Sequence, residues 1–119
     1  MSIERQRVNQ RMSQIVVHSG IVYLAGQVAL DKPGASVTEQ TVETLRRIDM
    51  LLKEAGSDKT RLLTALVWLT DIATFDEMNK VWDAWVAPGN PPARACVEAK
   101  LAGPKGAFNV EIMVTASLT

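Results

Sequence analysis

Residues 91–112, PPARACVEAKLAGPKGAFNVEI, join two short extended segments through a loop broken by glycine and proline. Pro91 and Pro92 hold the chain out of the helical region. Alternation then begins, with Ala93, Ala95, Val97 and Ala99 on one side and Arg94, Cys96 and Glu98 on the other, the two-residue period of a strand. After the loop AGPKGA (102–107) it resumes in FNVEIMVTASL (108–118), where Phe108, Val110, Ile112 and Val114 share a face. Two neighbouring strands therefore carry an arginine and a glutamate among small and apolar residues. Those two charges need an explanation.

The segments upstream supply the rest of the fold. SQIVVHSGIVYLAGQVAL (13–30) has two apolar runs flanking Ser19-Gly20, the composition of a tight hairpin turn. IERQRV (3–8) could add one more short strand. Beyond the loop DKPGAS, Ser36 and Glu39 have the spacing of a capping box. Thr41, Leu45, Ile48, Leu52 and Ala55 then recur at helical spacing up to Gly56, a left-handed stop. RLLTALVWLT (61–70) reads as a buried strand by its length and its position between two helices. Thr74 and Glu77 suggest a second capping box, followed by an apolar side of Phe75, Met78, Val81, Trp82, Trp85 and Val86 that Pro88-Gly89 ends. The order is β-hairpin, α, β, α, β, β. This predicts one α+β domain over residues 1–119, a mixed or mostly antiparallel sheet with two helices on one face. Asn109, Glu111, Met113 and Thr115 are only partly polar, so the other sheet face should also be covered, most simply by subunit association.

Composition narrows the function. The chain has 119 residues, 47% of them hydrophobic, with 13 basic and 13 acidic side chains. A balanced charge gives no global support to phosphate-driven nucleic-acid binding. One cysteine forms no internal disulfide, and one histidine beside it is too few for a dedicated zinc site. The start MSIERQRVNQR has no apolar leader, and no run approaches membrane-spanning length, so a cytoplasmic protein is expected. Walker, GxGxxG, GxSxG and HExxH motifs are absent.

Taken one at a time, the candidate residues have structural explanations. Arg94 could be an edge-strand charge, Glu111 a solvent-facing carboxylate, Cys96 a small buried hydrophobe. Asn79, beside the apolar stripe of the second helix, could cap a neighbour or touch a ligand. His18 reads as a solvated turn residue, and Trp82 and Trp85 as core. Together Arg94 and Glu111 offer more. An arginine grips a carboxylate through two parallel hydrogen bonds, and a carboxylate positions or deprotonates a water.

The stretch 91–112 resembles the signature of the YjgF/RidA (reactive intermediate deaminase, Rid) family, and the likeness extends to VYLAGQVAL (22–30) and the helix-strand-helix centre. The opening is similar to a shorter branch of that family. The resemblance implies a chorismate-mutase-like fold assembled as a homotrimer, with ligand sites between subunits. It implies hydrolysis of reactive enamines and imines, such as 2-aminoacrylate and 2-iminobutanoate, to 2-keto acids and ammonia, without metal or organic cofactor. Arg94 matches the arginine that grips the substrate carboxylate, and Glu111 the acid that positions the attacking water. Cys96 matches a pocket-lining cysteine, and Asn79 aligns with a pocket asparagine. Two positions depart from the archetype: Met12 stands where it has a pocket tyrosine, and Ala95 where it has serine or threonine. Tyr23 lies on a different strand and is no evident replacement. A binding protein for 2-keto acids or similar carboxylates, without turnover, is the alternative. A third reading, an RNA-acting or translation-inhibiting protein, finds no support in the net charge.

Overall fold

The computed structural model describes residues 2–119. Its strands are β1 (Glu4–Val8), β2 (Ser13–His18), β3 (Ile21–Leu24), β4 (Leu62–Leu69), β5 (Ala93–Glu98) and β6 (Val110–Ser117); its helices are α1 (Val37–Ala55) and α2 (Phe75–Trp85). They form one six-stranded sheet in the order β1-β2-β3-β6-β4-β5. Every pairing is antiparallel except β4 with β5, which is parallel because α2 lies in the crossover between them. The sheet is mixed, as the element order predicts. No helix among the described residues is long and apolar enough to cross a membrane.

The β2–β3 hairpin turns at Ser19 and Gly20, both at positive φ (52° and 78°), the signature of the two-residue turn that matches strand twist. One sheet face carries Ile15, Val22, Leu24, Ala65, Val67, Leu69, Val110, Ile112 and Val114, all buried. They pack with Leu45, Ile48 and Leu52 of α1 and with Met78 and Trp82 of α2 in a single core. Both helices thus cover the same face. The opposite face is open in the single chain, and Tyr23 and Leu66 on it are more than two-fifths exposed.

The caps differ from expectation at one place. Ser36 Oγ accepts from Glu39 N–H (3.1 Å), and Gly56 ends α1 in the left-handed conformation. Thr74, in contrast, makes no side-chain cap, so the second capping box is wrong. A 3-10 turn (Ile72–Thr74), capped by Asp71, leads straight into α2 and leaves no free N-cap for Thr74 to fill. Glu77 turns away to α1, where its Oε2 accepts from Thr38 N–H and from Thr38 Oγ1, both at 2.9 Å. It satisfies a donor at the start of one helix from the first turn of another. Glu77→Ala should therefore destabilise the fold by about 1 kcal/mol, the ordinary value of a lost cap, read as a lower urea midpoint at unchanged slope.

Candidate functional site

Arg94 lies on the edge strand β5, opposite Ala65 of β4, on the face that the helices cover. Its Nη1 donates to Asn79 Oδ1 of α2 at 2.8 Å. The guanidinium carbon stands 5.0 Å from the ring centre of Trp82 and 5.9 Å from that of Phe75. Three side chains of one helix therefore fix the arginine, through a neutral hydrogen bond and two cation–π contacts. The ion pairs among the described residues involve Arg7, Arg46 and Arg47, with Arg94 in none. Its fork is oriented but not neutralised. Phe75, more than one-third exposed, is an anchor for the arginine rather than the core residue that helical spacing suggests.

Cys96 follows two residues later on the same side of β5, as the alternation predicts, and packs partly against the core. Burial pushes its thiol above the ordinary range, while the nearby Arg94 pulls it down. The cysteine thus has less thiolate character than an ordinary thiol, and it lies beside Arg94 on β5.

Glu111 stands elsewhere. Trp68 of β4 is the register partner of both Glu111 on β6 and Val97 on β5. Val97 is one residue out of phase with Arg94 and Cys96, so Glu111 belongs to the open face. Arg94 and Glu111 lie on opposite faces of one sheet and cannot meet within a chain. Ala95 shares the open face with Glu111. Met12, in the β1–β2 turn and about two-fifths exposed, is at the far edge of the sheet from Arg94. The structure brings Arg94, Asn79 and Cys96 together, and leaves Glu111, Ala95 and Met12 apart from them.

The Glu111 carboxyl is half-buried against the backbone at Gly26, just after β3, and burial raises its pKa above the ordinary value. The charged form is penalised in the folded state. Stability from this group is full below the unfolded glutamate pKa of about 4.3, and is lost as pH rises through the higher folded value. Glu111→Gln should therefore unfold at a higher temperature than wild type near neutral pH, with the gap closing toward pH of about 4. Thermal melts across that range check this.

Sequence reasoning passed over Gly26. A Cβ built there would stand 2.2 Å from Glu111 Oε2, so the carboxyl rests directly on the glycine backbone. The available signal was an isolated glycine just past a strand, which marks close approach of another group.

Among the described residues no group of three or more His, Cys, Asp or Glu side chains is placed to hold a metal ion. The model of the family described as endoribonuclease L-PSP, which is the YjgF/Rid family, matches residues 3–118. The chain belongs to the YjgF/Rid family. A RutC family protein of Haemophilus ducreyi is 43% identical over 98% of this chain and 97% of its own length. The crystal structure of NMB1025, a YjgF family member from Neisseria meningitidis, superposes with a TM-score of 0.92 at 45% identity, covering 98% of this chain and 95% of that one. A rat protein named 2-iminobutanoate/2-iminopropanoate deaminase is 34% identical over 79% of this chain and 71% of its own. The YjgF/Rid fold is thus the mixed sheet with two helices on one face described above.

Proposed function

We propose that the protein hydrolyses small 2-imino acids, formed from enamines such as 2-aminoacrylate, to 2-keto acids and ammonia at sites between the subunits of a homotrimer. The observation that carries this reading is Arg94: oriented by Asn79, flanked by two aromatic rings and without an acidic partner. Such a fork suits a substrate carboxylate, which it would hold by two parallel charge-assisted hydrogen bonds. The rat relative, named for a 2-imino acid deaminase, supports the same substrate class.

Arg94 stands on the sheet's edge strand, and Glu111 on the open face. In the trimer the open face of one copy meets the edge of the next, so that one subunit grips the carboxylate and its neighbour supplies Glu111. Glu111 holds a water against the iminium carbon. The oxygen adds to that carbon as Glu111 takes a proton, giving a carbinolamine. The amino group then takes a proton and leaves as ammonia, the oxygen's lone pair forms the carbonyl, and its proton returns to solvent. One water is consumed for each keto acid and ammonium formed. Within one chain burial raises the pKa of Glu111, the direction that favours a general base.

The test is ammonia release from imines generated by an amino-acid oxidase or a dehydratase. Wild-type protein should exceed the buffer rate by orders of magnitude, and Arg94→Ala should fall back toward it. Wild-type protein that binds pyruvate yet leaves the rate at background would establish the binding-protein reading instead. Light scattering should give three chain masses; a monomer at micromolar concentration would remove the intersubunit site.

A further inference from the structure

We infer that Gly26 is the positioning residue for Glu111: its bare Cα forms the floor of a seat that a side chain would fill, holding the carboxyl against the sheet. The inference rests on the role proposed for Glu111 only for its kinetic arm.

The geometry is specific. A Cβ on Gly26 would lie 2.2 Å from Glu111 Oε2, 3.1 Å from Cδ and 3.4 Å from Cγ, so the whole end of the side chain leans on the glycine. Gly26 is not among the glycines at positive φ, so its backbone does not demand glycine. The close approach does. The segment around it is held from both sides. Ala25 N–H donates to Gln14 O of β2 at 2.9 Å. Gln27 and Ile112 exchange backbone hydrogen bonds of 2.8 and 3.0 Å, directly beside Glu111. The side chain of Gln27, 6% exposed, donates to Gln14 Oε1 at 2.7 Å and to Ala25 O at 3.1 Å. A buried glutamine thus pins the strip on which the carboxyl lies. Within one chain, burial is the cause of the raised pKa of Glu111.

A flexible carboxyl can swing away from a new methyl group at small cost to the fold, and that separates positioning from stability. Gly26→Ala should melt within a few degrees of wild type. Glu111 should lose its seat and become more solvated, so its titration, followed by carboxyl carbon NMR, should shift down toward an ordinary glutamate. In turnover, Gly26→Ala should cost roughly 10- to 100-fold in kcat, the scale of a displaced general base, but less than about 3-fold in a Glu111→Gln background. Glu111→Asp, whose carboxyl is drawn back by one methylene, should recover part of the loss when combined with Gly26→Ala. An unchanged Glu111 titration in Gly26→Ala would overturn the inference, whether or not the protein turns over imines. An equal kcat cost in both backgrounds would overturn it too, because Gly26 would then act independently of Glu111. If wild-type turnover is absent, the deaminase reading fails, and the NMR titration alone decides the role of Gly26.

Discussion

Chains carrying Arg94→Ala and chains carrying Glu111→Gln, co-expressed in equal amounts, are expected to recover about a quarter of wild-type turnover, although each variant alone is nearly inactive. The reason is the sheet. Arg94 projects toward α2 and Glu111 from the opposite face, so no chain can present both to one substrate. In the cyclic trimer proposed above, each site would draw its arginine from one subunit and its glutamate from the next. A random mixture places an intact arginine beside an intact glutamate in roughly one site in four. Each variant alone should lose a factor of about 100 or more, the range for a missing general base or charge-assisted grip. Recovery well above the sum of the two variants is the expected readout, using differently tagged chains and an ammonia assay. Activity no greater than that sum would remove the shared intersubunit site, and with it one of the two residues from the chemistry.

The second large effect is on binding. Arg94→Ala should weaken pyruvate or 2-oxobutanoate binding by about 2–5 kcal/mol, the usual cost of truncating one partner of a partly desolvated charged pair. Arg94→Lys should also impair it. An ammonium offers no planar fork, and it would lose much of the stacking on Trp82 and Phe75. Asn79→Ala should give a smaller loss, since the two aromatic rings still hold the guanidinium. Calorimetry with each ligand orders the three variants. Unchanged affinity in Arg94→Ala would make the arginine a structural tether between β5 and α2.

Much of this was legible in the sequence, for local reasons. Ser19-Gly20 sets a hairpin, Gly56 ends α1, and the alternation after Pro92 puts Arg94 and Cys96 on one side. Each signal lies within a few residues of what it determines. The failures are non-local. Thr74 has the spacing of a cap, but Asp71 already opens a turn just upstream, and Glu77 finds its donors 39 residues away in sequence. The separation of Arg94 from Glu111 is of the same kind. Alternation within β5 and within β6 is plain, but the phase between them is fixed only by pairing both with β4 through Trp68. The seat on Gly26 depends likewise on the register of Gln27 with Ile112.

The position of β6 has a consequence for how the chain is made. It is the last of the described strands in chain order, yet in the sheet it lies between β3 and β4 and joins the three N-terminal strands to the β4–β5 pair. Until it leaves the ribosome, the nascent chain holds two half-sheets, each with an unsatisfied edge. Such edges are templates for pairing with other chains, and contacts this distant in sequence form slowly. Stalling synthesis a few residues short of Ser117 should leave a protease-sensitive chain that associates with chaperones. Emergence of the whole of β6 closes the sheet.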